Sequence, residues 1–305
     1  MNRKSADFEA LMRKVAQLTP QQEGPATEEA VPKAIGRYTQ LELIGKGGMG
    51  VVFGGIDPED GSEVALKVVR EGVMSDEGVH RLEREANVLA AVQHDNLVRF
   101  REFGREDKRV YMVMERVRGT TMGWWLRARP TLSAVHEAFC AAGDGLAAAH
   151  AAGFVHRDFK PGNVLWGVPG GPKVADFGLT KYVGDDPERG FETLTMTGTW
   201  MGTPAYMAPE QFGAGSIDQR CDVFAFSVAV WEAMSGRHPF PDADGQAPRS
   251  FPQMVARLSS ARAPRWPSRL PSNLGHALAQ GLALPLEDRF QSMNALLHAL
   301  RASAP

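Results

Sequence analysis

A chain of 305 residues, 43% hydrophobic and 23% charged, has the composition of a soluble globular protein and enough apolar side chains for one large domain or two lobes. Its formal net charge of −2 supplies no overall basic field, which argues against nucleic acid or an anionic membrane as partner. Two cysteines, Cys140 and Cys221, make no disulfide framework, and a reducing cytoplasm is the simpler setting.

Residues 1–36 read as an extension. Phe8, Leu11, Met12, Val15 and Leu18 recur at helical spacing, and the stretch "TPQQEGPATEEAVPKA" that follows has linker composition. The helix packs loosely on the domain or serves as a docking element. No unbroken apolar run of a signal peptide opens the chain.

From Arg37 to Val117 the pattern is that of strands. "YTQLELIG", "GVVFGGID", "SEVALKVV", "LVRFREFG" and "RVYMVME" are β-type runs, and one helical segment, Asp76 to Val92, interrupts them. This predicts a small antiparallel sheet with a helix against it. Between the first two runs, Gly45, Gly47 and Gly50 take the spacing G-x-G-x-x-G. A dinucleotide fingerprint opens a helix, whereas here a second strand follows directly. A glycine hairpin can bring backbone N–H groups close to phosphate oxygens with no Cβ in the way. Lys67 sits in the third run, and Glu85 borders the apolar stripe of the helix with Leu89 and Val92. Lys67 either faces solvent or pairs with Glu85, which would hold its ammonium where phosphate oxygens can reach it.

Beyond Arg118 the periodicity turns helical, over Leu132 to Ala152, Asp218 to Ser235, Pro252 to Ser260, Asn273 to Leu284 and Ser292 to Ala302. Strands followed by helices predict an α+β chain of two lobes. The apolar run Val223 to Met234 is too short for a membrane span and suits a buried helix. Two loops carry chemistry. In "HRDFKPGN", Asp158 can take a proton from a hydroxyl, Lys160 can offset phosphoryl charge, and Asn163 offers an amide oxygen, a hard ligand for Mg²⁺. "VADFGLT" then adds the Asp176 carboxylate. One carboxylate and one amide oxygen suffice when substrate phosphates complete the Mg²⁺ shell.

These motifs stand in one order: "GKGGMGVV", "VALK", Glu85, "HRDFKPGN", "DFG" and "APE". In this the chain resembles the eukaryotic-like serine/threonine protein kinases, most closely their bacterial branch, from about Tyr38 to Leu300. "GTPAYMAPEQ" is similar to the family's peptide-binding loop. Asp222 takes the place of its anchoring aspartate, and Arg289 that of the arginine paired with a glutamate, here Glu210.

The resemblance implies a bilobal protein-kinase fold, with a β-sheet N-lobe over residues 37–117 and a mostly helical C-lobe over 118–305. It implies ATP and Mg²⁺ as cofactors and proteins as substrates. Gly45, Gly47 and Gly50 would cover the phosphates. Ile44, Val52, Ala65 and Leu165 would enclose adenine. Glu115 and Val117 would offer it backbone hydrogen bonds, with Met114 behind. Lys67, held by Glu85, would contact the α- and β-phosphates. Asp158 would orient and deprotonate the substrate hydroxyl, Lys160 would stabilise the γ-phosphate, and Asn163 with Asp176 would hold Mg²⁺. Leu89, Phe100, His156 and Phe177 would form an apolar column linking the lobes. Phe159, where leucine is commonest, and Gly162, where a larger residue is usual, depart from the pattern without removing a catalytic atom.

Lys160 implies serine/threonine over tyrosine specificity. Arg157 implies control by an anion, such as a phosphothreonine among Thr193, Thr195, Thr197 and Thr199. Thr195 and Thr197, eight and six residues before Thr203, are the expected sites, and phosphorylation in trans would need self-association. Two rival readings are a nucleotide-binding scaffold without turnover and a small-molecule phosphotransferase. The first lacks the expected losses at Lys67, Asp158 or Asp176. The second lacks "GTPAYMAPE" and the Glu210–Arg289 pair.

Overall fold

All five β-type runs pair into one antiparallel sheet. The computed structural model describes residues 31–47, 50–70, 77–80, 83, 90–106, 109–167, 170–177, 204–212, 217–242, 244–248, 250–259, 265–268 and 270–304. Strands β1 (Ala34–Ile35), β2 (Tyr38–Gly47), β3 (Gly50–Ile56), β4 (Glu63–Val69), β5 (Phe100–Glu106) and β6 (Arg109–Glu115) lie in the order β1-β2-β3-β4-β6-β5. β1 falls inside the segment read as an extension. Its Ala34 and Ile35 pair with Thr39 and Tyr38, and Ile35 is 1% exposed, so the sheet begins before Arg37. Two residues are too few to show a strand period.

Side chains alternate across this sheet as a two-residue period requires. Ile35, Tyr38, Val51, Phe53, Val64, Leu66, Tyr111 and Val113 cluster on one face. Val69, Val79, Phe100, Val110 and Met112 gather on the other, where residues 77–80, 83 and 90–91 are helical. Gly104 is required here, because a Cβ would meet the Tyr111 ring at 2.1 Å.

The described residues after Arg118 are mostly helical around a second small sheet. That sheet joins β7 (Gly119–Thr121), β8 (Val164–Gly167) and β9 (Gly171–Val174), and the helices are α1 (Met122–Arg127), α2 (Leu132–Ala151), α3 (Arg220–Ser235), α4 (Phe251–Ser259), α5 (Ser272–Gly281) and α6 (Met293–Arg301). Thr131 and Ser292 cap α2 and α6 by accepting from the N–H groups of Ala134 and Ala295. Gly236 ends α3 with φ 75°. α3 is buried along most of its length, as its apolar run predicts, and Phe224, Phe226, Val228 and Trp231 join one core with Phe139, Leu146, Leu278 and Leu297. The short α1 carries too few turns to announce itself by periodicity.

The first sheet meets the helical part at residues 94–98. Asn96 accepts from Val174 N at 2.8 Å through its carbonyl, Val98 N donates to Val174 O at 2.9 Å, and Leu97 bridges Val174.

A buried charge pair helps to hold this fold. Arg289, 1% exposed, meets Glu210 at 2.7 Å and also donates to the carbonyls of Ala283 and Arg220, with Phe224 beneath it at 5.0 Å. Removing one partner leaves the other charge buried and unpaired. Arg289→Met should therefore lower unfolding free energy by about 3–5 kcal/mol in urea denaturation, with part regained in Glu210→Leu/Arg289→Met. A loss under about 1 kcal/mol would mean that the pair behaves as a surface one.

Candidate active site

The loop between α2 and β8 is built on a buried carboxylate. Asp222, on the first turn of α3 and fully buried, accepts the N–H groups of His156 and Arg157 at 2.7 Å each and faces His150 Nε2 at 2.7 Å. Burial pushes its carboxyl up, but the His150 hydrogen bond and nearby positive charge outweigh this and hold it below the ordinary range. Arg157 consequently takes φ 66°, in the left-handed region that side chains disfavour. Gln211 adds a hydrogen bond to the Arg157 carbonyl at 2.7 Å. Arg157 Nε is buried and has no hydrogen-bond partner among the described residues.

His156 ties this loop to the strand that follows. Its Nε2 lies 2.7 Å from the Ala175 carbonyl and must donate, while Nδ1 accepts from Asp158 N at 3.2 Å, which places the ring proton on Nε2. The ring packs on Phe177 at 4.8 Å and meets Phe159 edge-on at 6.0 Å. Phe159 is fully buried and continues to Phe226, so an aromatic residue here is a core contact.

Asp158, Lys160 and Asn163 converge. Lys160 Nζ lies 2.9 and 3.2 Å from the two Asp158 oxygens. Asn163 Nδ2 donates to the Asp158 carbonyl at 2.7 Å and to its carboxylate at 3.1 Å, which commits the amide nitrogen and leaves Oδ1 as a ligand oxygen. Ala175 N donates to Asn163 O at 2.9 Å and so brings Asp176 alongside.

Asp176 has φ 63° and meets Lys67 Nζ at 2.8 Å. Burial pushes its carboxyl up, yet the Lys67 ammonium, with Lys160 beyond, holds it below its usual value. Lys67 is 9% exposed, so it faces inward and not solvent. Glu85 and Leu89 lie outside the described residues, as do Thr193, Thr195, Thr197, Thr199 and Thr203.

Register arranges the base-binding candidates. Val52 is opposite Lys67, Ala65 is opposite Met114, and Gly45 is opposite Val52. Gly47 and Gly50 face each other at the hairpin end, and a Cβ on Gly50 would meet Val68 O at 1.9 Å. Ile44 is 44% exposed beside them. Glu115 uses its own N–H for Arg99 O at 2.8 Å, and Leu165 sits on β8 below. A cavity of about 40 Å³ between Lys67, Phe100, Met112, Met114, Asp176 and Phe177 separates the sheet from the loops.

His150 and Gln211 are not singled out by the sequence. His150 lies in an alanine-rich helix end, and only the fold brings it against Asp222.

A sheet carrying an inward lysine is thus stacked on a helical part that presents an aspartate beside a lysine and an asparagine. The chain belongs to the protein kinase domain family, whose profile matches residues 38–300. It is 33% identical over 287 residues to the serine/threonine-protein kinase Pkn1 of Myxococcus xanthus, which covers 91% of this chain and 40% of the relative. It is 38% identical over 213 residues to PknA of Mycobacterium tuberculosis, covering 67% and 48%. The chain thus spans less than half the length of these two relatives. The crystal structure of the M. tuberculosis PknI kinase domain shares the fold, with a TM-score of 0.68 at 23% identity, over 90% of this chain and 99% of that one.

The carboxyl of Asp222 is held low when folded, so its contribution to stability is present above the unfolded value near pH 4 and is lost as pH falls through the lower folded value. Asp222→Asn presents N–H to a donor. At neutral pH it should cost about 2–3 kcal/mol in urea denaturation and remove part of the acid loss. A wild-type denaturation midpoint at pH 7 would show that Asp222 does not anchor the loop.

Proposed function

We infer that the chain transfers the γ-phosphoryl group of ATP to serine and threonine hydroxyls of proteins. The observation that carries this reading is the Asp158–Lys160–Asn163 cluster, joined through the Asn163–Ala175 hydrogen bond to the Lys67–Asp176 ion pair. ATP would lie under Gly45, Gly47 and Gly50, its base among Ile44, Val52, Ala65, Met114 and Leu165. The Glu115 carbonyl and the Val117 backbone would meet the base edge, since the Glu115 N–H already serves Arg99.

Asp158 then accepts the proton of the acceptor hydroxyl as its oxygen bonds to the γ-phosphorus. The bond to the β-phosphate oxygen breaks and ADP leaves. Lys160 would balance charge on the moving phosphoryl, and Lys67 would turn from Asp176 to the α- and β-phosphates. The hard oxygens of Asn163 and Asp176 fit Mg²⁺, which when bound neutralises phosphate charge. Glu85 would position Lys67.

A protein acceptor suits the segment after Thr203. Pro204–Tyr206 is anchored by Ala205 O to His238 at 2.8 Å and by Tyr206 to Glu232 at 2.7 Å, which makes a firm platform for an extended peptide. Activation by phosphorylation at Thr195 or Thr197, in trans between copies, would supply the anion that the buried Arg157 Nε lacks. No helix among the described residues is long and apolar enough to cross a membrane.

The test is intact mass of phosphatase-treated protein before and after Mg²⁺ and ATP, with Asp158→Asn alongside. Stepwise phosphoryl gains at Thr195 or Thr197 are expected. Asp158→Asn should bind ATP yet transfer at least about a hundredfold more slowly. Near-normal turnover in that variant would overturn the role of Asp158.

A further inference from the structure

The segment joining the lobes carries two arginines that phosphoryl transfer does not use. Arg118 pairs with Glu63 of β4, but its side chain is 66% exposed, as a solvent-screened pair would be. Arg116 differs. Its Nη1 lies 2.6 Å from Glu42 Oε1 of β2, and its own side chain is 16% exposed, while the Glu42 carboxylate is 59% exposed.

Strand register shows where that guanidinium lies. Glu42 is opposite Gly54, Gly54 is opposite Ala65, and Ala65 is opposite Met114. Opposed residues on antiparallel strands share a face, and so do residues two apart along a strand. Glu42, Ala65 and Met114 therefore face the same side as Val52 and Lys67. Gly54 leaves a gap in this row. A Cβ there would stand 2.5 Å from Arg116 Nη1 and 2.9 Å from Cζ. The guanidinium fills the space that a side chain at position 54 would take, beside Ala65.

β2 also needs holding at this point. It shifts register between Thr39 and Glu42 and again between Leu43 and Gly45, and Gln40 takes φ 52°. Its course past Ile44 is not set by a regular ladder alone.

We propose that Arg116, held over Gly54 by Glu42, forms the outer wall of the adenine subsite and positions β2 and Ile44 above the base. The proposal rests on the nucleotide reading above. A planar cation at that place favours the π face of a purine and fixes the strand from which the glycine hairpin springs. It also gives a reason for glycine inside a strand, where the residue otherwise weakens packing.

The experiment is titration calorimetry of ATP and of adenosine, which carries no phosphates, on wild type, Arg116→Gln, Glu42→Gln and Gly54→Ala. The added methyl of Gly54→Ala meets only the far ends of two flexible side chains, the Arg116 guanidinium and, at 3.3 Å, the Glu42 carboxylate, so it displaces the guanidinium and leaves the strand in place. Melting temperatures establish that each variant is folded. Each should raise the Kd of both ligands about three- to tenfold, with kcat at saturating ATP within about twofold of wild type. The double variant Arg116→Gln/Glu42→Gln should bind no worse than either single one. Unchanged Kd values in the folded variants, or losses that multiply in the double variant, overturn the wall. A wild-type chain that binds neither ligand overturns the nucleotide reading as well, so the two failures are told apart.

Discussion

The Asp222 carboxylate is the constraint on which the rest of the site depends. Fully buried, it gathers two backbone N–H groups of the loop before Asp158 and a ring nitrogen of His150. Three donors on one buried carboxylate convert a costly charge into a fixed point, because each donor would itself be orphaned without it. The loop is thereby locked to α2 and α3, and the left-handed φ of Arg157 is carried by that locking.

From this anchor the order passes outward through hydrogen bonds of fixed direction. His156 spends one ring nitrogen on Asp158 N and the other on Ala175 O, so the loop and the strand end beyond β9 cannot move independently. Asn163 does the same through its amide and its carbonyl. Lys67 then reaches down from the first sheet to Asp176, where two opposite charges in one cleft bring the two lobes to the same place. Phosphate oxygens would compete for that lysine, and a metal for that carboxylate. On the proposed reading, the ion pair would be a resting arrangement that ligands exchange for their own contacts.

A second charge pair works differently. In Glu210–Arg289 the guanidinium is satisfied by two carbonyls besides the carboxylate. Its job is to hold Pro209–Phe212 against α3, which in turn lets Gln211 reach the Arg157 carbonyl. Stability of the core and geometry of the loop are thus joined through adjacent residues.

Much of this was legible in the sequence. Helices α2 and α3 follow from apolar spacing. Five of the six strands of the first sheet follow from two-residue alternation between glycine and acidic turns. The loop chemistry follows from which side chains can donate, accept or ligate. By itself, the sequence determined which groups are present, in what order, and which faces are apolar, because these are local properties of neighbouring residues. Packing between distant segments is what turns Lys67 inward to Asp176, brings His150 to Asp222 across 72 positions, and makes Gly54 leave room for Arg116. Those contacts join segments far apart in the chain, and their geometry comes from strand register and helix packing, which no local pattern encodes.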